Sequence, residues 1–512
     1  MSRNRFPPLL LYITLGLLGL FSALPALAQV IPYEFDPAFN GNYAIDAFTT
    51  GEKTGAQRYG GKLARLPDGD VVVAGIARLD NDPIAPNWNL GLVRYNPGGS
   101  RVAWSGSGLN FHAGNQYVVY PNLPNGGSGY TTIRKVSDIA YAGGRIYVLV
   151  RTLFNPSPQD HDVQLLIFAE DGSYVNSINV FNSSEDEDSV ALSVLETGAV
   201  ANPVAIAVLG RRSGIRSAIA KYLVNSSNVI QLDSSFGGGD GRVEFVLPTA
   251  ECTYADCEFL ATDIAFPLGG GGGSSRPIYL SGWARRDSPS ASDTDMVAVK
   301  FTPAGLLDIN FDFNGVRQYA FDDPGSSLAD YAAALIATRS PLGNFDTVWL
   351  VGPVARTCSQ GAGVIRLDGA SGAPDSTFGS VGRALFGGSG QPAGPDCTAR
   401  DYLDPADLVI QDNEIAIAAS LFQLDQNGAR MAERGGLLRL SASTGQRYSL
   451  DELGLFAGDK YFPSVLRGIG TGEGGGRYYV SGHGQTSLYN SLYLVGRVKP
   501  IAEAIFRDGF EL

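Results

Sequence analysis

Three histidines, His112, His161 and His483, are the only imidazole groups that the chain offers for acid–base or nucleophilic catalysis. A serine nucleophile needs a histidine within hydrogen-bonding reach and an acid behind that histidine. The chain has no G-x-S-x-G turn to present such a serine, and no H-E-x-x-H pair to bind zinc. We expect His112 and His161 in loops, and His483 directly after an apolar strand. The sequence therefore predicts no catalytic residues, no cofactor and no cofactor-binding residues.

Short acidic runs are the second candidate for chemistry, as cation ligands. They are Glu185–Asp188, Asp80–Asp82 and Asp293–Asp295. Calcium takes roughly six to eight oxygen ligands, and a calcium loop that supplies them has the spacing D-x-[DN]-x-[DN]-G. None of the three runs has that spacing. We interpret them as solvated loops, and the sequence leaves open whether any loop binds a metal.

Aromatic residues in variable segments are a third candidate, as the lining of a binding face. Tyr and Trp are favoured at recognition surfaces, but they are equally normal inside β-sheets. The candidates are Trp88, Trp104, Tyr117, Tyr120, Tyr130 and Trp283.

The elements that would position these groups are repeated along the chain. One phrase, Asp-x-x-Phe followed by Gly, Asn or Asp, begins at Asp36, Asp233, Asp308 and Asp375. A second recurrent run is almost wholly apolar and closes on Gly or a similarly small residue in most copies. Its seven copies are Val71–Gly75, Ile146–Val150, Ala205–Gly210, Ile278–Gly282, Val348–Gly352, Ile415–Ala419 and Tyr478–Gly482. Such runs predict strands with both faces buried between neighbouring sheets.

A third strand follows each apolar run, and a turn rich in Gly, Asn, Asp or Pro leads from it into the fourth strand. A four-stranded antiparallel unit repeated in this way predicts an all-β fold, a seven-bladed β-propeller. The chain begins with a fourth-strand phrase and ends after a third strand. We therefore expect the N-terminal strand, Asp36–Phe48, to pair with Tyr493–Val498 and close the ring.

Six of the third strands carry a base at one position: Arg94, Lys221, Lys300, Arg366, Arg439 and Arg497. One interpretation is a basic ring around one face of the propeller. The other is that each base pairs with the acid that opens the fourth strand of its own hairpin, and a repeated base beside a repeated acid favours this second interpretation.

These strands and phrases resemble the bacterial delta-60 repeat family. The likeness is best over Lys221–Phe245, Lys300–Phe321 and Arg366–Phe386, and it covers roughly residues 33–500. It is degraded in the second and sixth units; in the second, Asp171-Gly-Ser-Tyr174 is not followed by the Phe-Gly phrase. The resemblance implies a seven-bladed propeller and export, and it implies little about activity.

The N-terminus has the order of a secretory signal peptide. Arg3 and Arg5 precede the apolar run Leu9–Leu24, and Ala26-Leu27-Ala28 is a small-residue cleavage site. We expect cleavage after Ala28, which places the protein outside the cytoplasm, either secreted or periplasmic. The expected organisation is a signal peptide at 1–28, a propeller at 29–500 built of repeats of about 60–75 residues, and a tail at 501–512.

Four cysteines, Cys252, Cys257, Cys358 and Cys397, remain in the expected mature chain. An even number in an oxidising compartment indicates two disulfides. Three pairings are formally open, and proximity in the sequence favours Cys252–Cys257 and Cys358–Cys397. The alternative is a metal site, but no histidine lies near Cys252 or Cys257, and C-x4-C alone is a weak metal signature.

The net charge of the chain limits the classes of partner that we expect it to bind. It carries 38 basic and 51 acidic residues, a net charge of −13. Such a field repels phosphate backbones, so we expect no nucleic-acid partner. No segment after the signal peptide has the length and apolarity of a membrane span, and we expect a monomer.

These features favour an exported, non-catalytic propeller that acts as a binding or scaffold module for an unknown extracellular ligand, a glycan or a protein. The alternative is a propeller hydrolase or lyase that acts on an extracellular polymer such as polysaccharide. Paired carboxylates for glycosidic cleavage are compatible with the abundance of acids.

Overall fold

The computed structural model describes the chain between residues 33 and 500, with gaps. The predicted signal peptide, the C-terminal tail and all four cysteines lie outside the described residues, so the disulfides stay a prediction. The described ranges are 33–36, 38, 43–46, 59–78, 88–107, 111–112, 114–120, 132–156, 159–195, 204–212, 216–225, 227, 229–248, 258–269, 275–285, 293–321, 329–340, 345–356, 359–387, 400–424, 430–453, 464–472, 477–485 and 491–500.

The described residues form β-strands joined by turns, and none of them forms a helix with the length and apolar composition needed to span a bilayer. The strands are β1 (Tyr33–Phe35), β2 (Tyr43–Asp46), β3 (Tyr59–Arg65), β4 (Val71–Arg78), β5 (Trp88–Tyr95), β6 (Phe111–His112), β7 (Tyr117–Tyr120), β8 (Thr132–Ala142), β9 (Arg145–Pro156), β10 (Gln159–Ala169), β11 (Tyr174–Phe181), β12 (Glu187–Leu195), β13 (Val204–Arg212), β14 (Arg216–Val224), β15 (Ile230–Leu232), β16 (Arg242–Phe245), β17 (Glu258–Ala265), β18 (Ile278–Arg285), β19 (Asp295–Phe301), β20 (Val316–Tyr319), β21 (Ala334–Arg339), β22 (Asp346–Arg356), β23 (Ser359–Asp368), β24 (Arg383–Phe386), β25 (Arg400–Gln411), β26 (Glu414–Leu424), β27 (Arg430–Ser441), β28 (Arg447–Leu453), β29 (Ser464–Thr471), β30 (Tyr478–Gln485) and β31 (Ser491–Pro500).

Hydrogen bonds join these strands into five sheets of four or five strands and one sheet of eight. The five smaller sheets run β3-β4-β5-β7-β6, β8-β9-β10-β11, β12-β13-β14 with β15 and β16, β17-β18-β19-β20, and β29-β30-β31 with β1 and β2. The eight-stranded sheet contains β21-β22-β23 with β24, followed by β25-β26-β27-β28.

The structure therefore shows five separate sheets of four or five strands rather than the seven that the sequence predicts. The difference arises at one residue pair, because Gln360 of β23 pairs in parallel with Tyr402 of β25. The long hairpin of β22 and β23 ends near Arg356 and Ser359. Its tip reaches the start of β25 and makes two four-stranded stretches one continuous sheet.

The apolar runs are buried on both faces, as predicted. Val72 and Ala74 of β4 belong to a core cluster shared with the sheet of β8–β11. Val71 and Val73, which point the opposite way, share a cluster with Tyr479 and Val495 of the last sheet. All seven runs lie in strands that are second in their four-stranded stretch, namely β4, β9, β13, β18, β22, β26 and β30.

Glycines that close two of these runs allow close approach of a neighbouring backbone. A Cβ atom added to Gly352 would lie 1.7 Å from the carbonyl oxygen of Tyr331, and one added to Gly282 would lie 2.3 Å from that of Leu260. The glycine preference at this position is therefore steric.

The strand that comes before each of these second strands is here called a first strand. The first strands contact one another in order: β3 with β8, β8 with β12, β12 with β17, β17 with β21, β21 with β25, β25 with β29, and β29 with β3. The N-terminal strands join the last sheet, because Tyr43–Asp46 pairs antiparallel with Tyr493–Gly496 and Phe35 pairs with Val498. This pairing is the one predicted for the start of the chain. The fold is an all-β propeller of four-stranded antiparallel sheets.

Candidate functional site

The repeated bases belong to ion pairs, and three of them pair with the acid of their own hairpin. Lys221 Nζ lies 2.9 Å from Asp233 Oδ2, and Lys300 Nζ lies 2.8 Å from Asp308 Oδ2. Arg366 makes the same contact with Asp375 at 3.3 Å. The predicted base–acid pairing is confirmed at these positions.

The same contact joins the two ends of the chain. Arg497 Nη2 of β31 lies 2.7 Å from Asp36 Oδ2, and Arg497 also donates to the carbonyl oxygen of Pro97 at 2.5 Å. The last sheet therefore obtains its acid from the N-terminal phrase and contacts a turn of the first sheet.

The other two bases find different acids. Arg94 pairs with Asp70 at 2.6 Å and with Asp68, while Arg439 pairs with Glu414 at 3.0 Å. All six bases are thus neutralised in ion pairs, which contradicts a basic ring.

In three of its copies the Asp-x-x-Phe phrase also ties its hairpin to the turn after the next third strand. The carboxylate of Asp233 accepts the Ser235 amide at 2.9 Å, and Phe236 is fully buried. The amide of Gly237 donates to the carbonyl oxygen of Ala304 in the next sheet at 2.9 Å. The corresponding amides of Asp312 and Gly379 donate to Ser371 and Thr444.

These interactions lower the pKa of the phrase acids. Burial opposes ionisation of Asp233, but hydrogen bonds from Ser235 and Lys221 outweigh it and hold the pKa below its ordinary value. The pKa values of Asp36, Asp308 and Asp375 are lowered in the same way.

The histidines lie in strands, which corrects the prediction that His112 and His161 sit in loops. His112 is in the two-residue strand β6 at a sheet edge, and His483 is in β30 itself. The side chains of both lie outside the description. His161 lies in β10, with Nδ1 2.8 Å from Asp186 Oδ1.

Most of the candidate aromatics that the structure describes are core residues. Trp104, Tyr117 and Tyr120 are almost wholly buried, the tyrosines in β7 rather than in a loop. The side chain of Trp88 and the whole of Tyr130 lie outside the description. Trp283 of β18 lines a cavity.

That cavity, here called the axial cavity, has a volume of about 500 Å³ and is lined by residues of the first strands β3, β8, β17, β25 and β29. Residues just before β21 complete the lining. Its aromatic and charged side chains are those of Trp283, Tyr331, Lys62, Lys135, Asp404 and Arg467. Most of these residues come from strands far apart in the sequence, so the spacing along the chain does not reveal the cavity.

A smaller cavity of about 200 Å³ shares Lys62 with the axial cavity. It is lined by three acids, Asp138 of β8, Asp263 of β17 and Asp407 of β25. Lys62 Nζ lies 2.9 Å from Asp407 Oδ2. One ammonium group thus faces three carboxyl groups.

The three acids occupy the same place in their strands. Each directly follows a register shift in the pairing of a first strand with its second strand. A β-bulge of this kind redirects the side chain that follows it. The sequence does hold a signal for these acids: Asp138-Ile-Ala, Asp263-Ile-Ala and Asp407-Leu-Val recur at the bulge.

Each of these carboxylates joins two neighbouring first strands. Asp263 accepts the Ile264 amide on one oxygen at 2.8 Å and the Leu335 amide of β21 on the other at 2.8 Å. Asp138 accepts the amides of Ile139 and Leu192 in the same way. Asp407 accepts the amides of Leu408 and Ile469.

Burial raises the pKa values of Asp138 and Asp263 more than the charge of Lys62 lowers them. The pKa of Asp138 is raised to about 6 and that of Asp263 to about 7. Burial also disfavours the Lys62 ammonium, but the charges of Asp407, Asp138 and Asp263 outweigh it and raise the lysine pKa. The two acids change charge near neutral pH, whereas Lys62 stays protonated.

The acidic run Glu185–Asp188 is only partly a solvated loop. Asp186 is exposed and pairs with Arg151 at 2.8 Å. Glu187, by contrast, is fully buried at the start of β12. The interpretation as a solvated loop is therefore wrong for Glu187.

No protein-family model and no curated protein matches the chain. Solved structures with a similar fold include Drosophila Semaphorin 2a, at 9% identity over 89% of this chain and 76% of that chain, with a TM-score of 0.44. The polysaccharide lyase Uly1 is similar at 10% identity over 93% of this chain and 98% of its own, with a TM-score of 0.44. The Plexin A4 extracellular region is similar at 8% identity over 88% of this chain and 47% of its own, with a TM-score of 0.45. At these values the likenesses support no inference about function.

Proposed function

We propose that this chain is an exported, non-catalytic β-propeller that binds an extracellular glycan in the axial cavity. The observation that carries the proposal is the lining of that cavity, where Trp283 and Tyr331 lie among Lys62, Lys135, Asp404 and Arg467. Aromatic side chains offer flat apolar faces, and the surrounding charged groups offer hydrogen-bond donors and acceptors. Sugar rings present both kinds of surface.

The hydrogen bonds of Asp138 and Asp263, which line the smaller cavity beside the axial cavity, support a binding role over catalysis. Both oxygens of Asp138 and Asp263 accept backbone amides from two strands. A general acid or base exchanges its proton with a substrate in hydrogen-bonding reach. Carboxylates that hold two strands together are better suited to fixing the positions of the first strands that line the axial cavity.

We also propose that the sheets are seven four-stranded blades in a closed ring, with the eight-stranded sheet counted as two blades. The sequence of first-strand contacts, which returns from β29 to β3, supports this. So does the apolar cluster that Val71 and Val73 share with Tyr479 and Val495. The delta-60 resemblance and the predicted signal peptide support membership of that repeat family and export.

The test is a binding screen of chain 29–512 against neutral and acidic polysaccharides, followed by titration of the best ligand. We expect Trp283→Ala to weaken binding about tenfold or more, since a central aromatic residue often contributes roughly 2 kcal/mol. Phe345→Ala is the matched control, because Phe345 is a 63% exposed aromatic residue that does not line the cavity.

Three results would contradict the proposal. Release of shortened chains from any polysaccharide by the wild-type protein would favour the alternative, a hydrolase or lyase. Equal loss of affinity in Phe345→Ala and Trp283→Ala would show that the ligand does not bind in the axial cavity. Binding to a protein ligand alone would contradict the glycan class.

A further inference from the structure

Asp160, Asp162 and Glu187 bring three carboxyl groups together where β10 of one sheet meets β12 of the next. One carboxylate oxygen from each residue lies within 4.8 Å of the other two. Asp162 is 3% exposed and Glu187 is wholly buried. This arrangement is separate from the axial cavity and from the proposed glycan site.

The cluster contains buried oxygen atoms that no described group satisfies. Asp160 Oδ1, Asp162 Oδ1 and Glu187 Oε2 are all inaccessible to solvent and accept no hydrogen bond. An unsatisfied buried carboxylate oxygen is costly, and three within one cluster repel one another. The described surroundings therefore supply no hydrogen-bond donor to any of these three oxygen atoms.

Neighbouring bases leave most of the negative charge uncompensated. Arg212 Nε lies 3.7 Å from Glu187 Oε1, but Arg212 also pairs with Glu244. Glu187 Oε1 accepts a hydrogen bond from Ser183 Oγ, which leaves Oε2 unused. Within the described ranges, neither Asp160 nor Asp162 forms an ion pair.

We propose that Asp160, Asp162 and Glu187 bind one calcium ion that ties β10 to β12. Calcium prefers carboxylate oxygens at about 2.3–2.6 Å, so two ligands on opposite sides of the ion lie roughly 4.8 Å apart. The spacing of the three oxygens is compatible with one shared calcium ion. Hard oxygen donors without His or Cys disfavour zinc and copper.

Burial supports the same conclusion. It raises the pKa of Asp162 to about 6, and the charges of Asp160 and Glu187 add to this effect. Burial also raises the pKa of Glu187. A cation between the three carboxyl groups would offset both their burial and their mutual repulsion.

The test is calcium titration of chain 29–512, stripped with a chelator and held at pH 8, followed by isothermal calorimetry and by thermal unfolding. We expect one calcium per chain from this site and a rise of several degrees in the melting temperature at millimolar calcium. Glu187→Gln and Asp162→Asn should each lose the rise. Glu185→Gln is the matched control from the same acidic run and should keep it.

The stability of the calcium-free variants separates a cation site from a purely structural acid cluster. Because Glu187→Gln removes one repelling charge, its calcium-free form should melt no lower than the calcium-free wild type. The proposal is overturned if the wild type binds no calcium at millimolar concentration. It is equally overturned if both Glu187→Gln and Asp162→Asn keep the full calcium response. Should one variant not fold, the other decides.

Discussion

At the residue scale, the repeated base and acid form a buried ion pair with a structural role. Lys221 is 1% exposed and Asp233 is 4% exposed. Lys221 Nζ also donates a hydrogen bond to the carbonyl oxygen of Pro303 in the next sheet at 3.2 Å, and it lies 5.6 Å from the centroid of the Phe236 ring. One lysine therefore neutralises an acid, covers an aromatic ring and joins two sheets.

Replacing Lys221 with methionine should destabilise the protein by about 3–5 kcal/mol, because it leaves the buried Asp233 carboxylate without its partner. The double variant Lys221→Met with Asp233→Asn should recover part of the loss, since Asn keeps an acceptor for the Ser235 amide. Denaturant unfolding measures both values.

The control for this prediction is Arg216→Met on the same strand, because Arg216 is exposed and its replacement should cost less than about 0.5 kcal/mol. Equal losses for Arg216→Met and Lys221→Met would contradict the ion-pair argument.

At the scale of the elements, the first strands are held together by bulges and acids. A register shift precedes Asp138, Asp263 and Asp407, and each carboxylate then accepts an amide from the next first strand. The lining of the axial cavity depends on this arrangement, because β8 and β29 carry Lys135 and Arg467, and Asp407 of β25 pairs with Lys62 of β3.

Asp263 should make the stability of the protein depend on pH. Its pKa is raised from 3.8 to about 7, so between these values the folded chain holds a proton that the unfolded chain has lost. That contribution is fully present below pH 3.8 and is lost as the pH rises through about 7. Asp263→Asn should flatten the fall in unfolding free energy between pH 5 and 8 by up to about 1.4 kcal/mol per pH unit.

Asp375→Asn is the control, because the pKa of Asp375 is lowered. Its contribution to stability is present above its unfolded pKa and is lost as the pH falls. The variant should lose stability at all pH values from 5 to 8 with the slope unchanged. An unchanged slope in Asp263→Asn would show that this acid does not titrate in the window.

At the scale of the whole molecule, the start of the chain completes its last sheet. β1 and β2 pair with β31, and Asp36 neutralises the mostly buried Arg497. β31 otherwise presents an unpaired edge, which is an aggregation hazard in β proteins.

A chain that begins after residue 48 should unfold more easily by about 3 kcal/mol or more, because it exposes that edge and leaves Arg497 without its acid. It should also aggregate on warming. Adding a peptide of residues 29–48 should restore part of the lost melting temperature, whereas a peptide in which Asp36 is replaced by Asn should restore less. Equal melting temperatures for the truncated chain and for the chain that retains residues 29–48 would contradict this account.

The sequence alone determined the interactions that are local to one hairpin. The third strand, its turn and the Asp-x-x-Phe phrase lie close together in the chain, so turn chemistry brings Lys221 to Asp233 and Lys300 to Asp308. The seven apolar runs identified the second strands and predicted that both of their faces are buried, because a strand packed between two neighbouring sheets needs apolar side chains on both faces. The sequence also predicted that β2 pairs with β31, because the first strand phrase of the chain is of the fourth-strand type and the last is of the third-strand type.

Only the tertiary structure decided what meets on the axis and between sheets. Lys62, Asp138, Asp263 and Asp407 come from four different first strands, and packing of the sheets around one axis brings them together. Asp160 and Asp162 meet Glu187 for the same reason, since the contact crosses from one sheet to the next. The number of separate sheets rests on one pair, Gln360 and Tyr402, whose contact depends on how far a hairpin extends. No local spacing encodes these distances, because each is set by the packing of whole sheets against their neighbours.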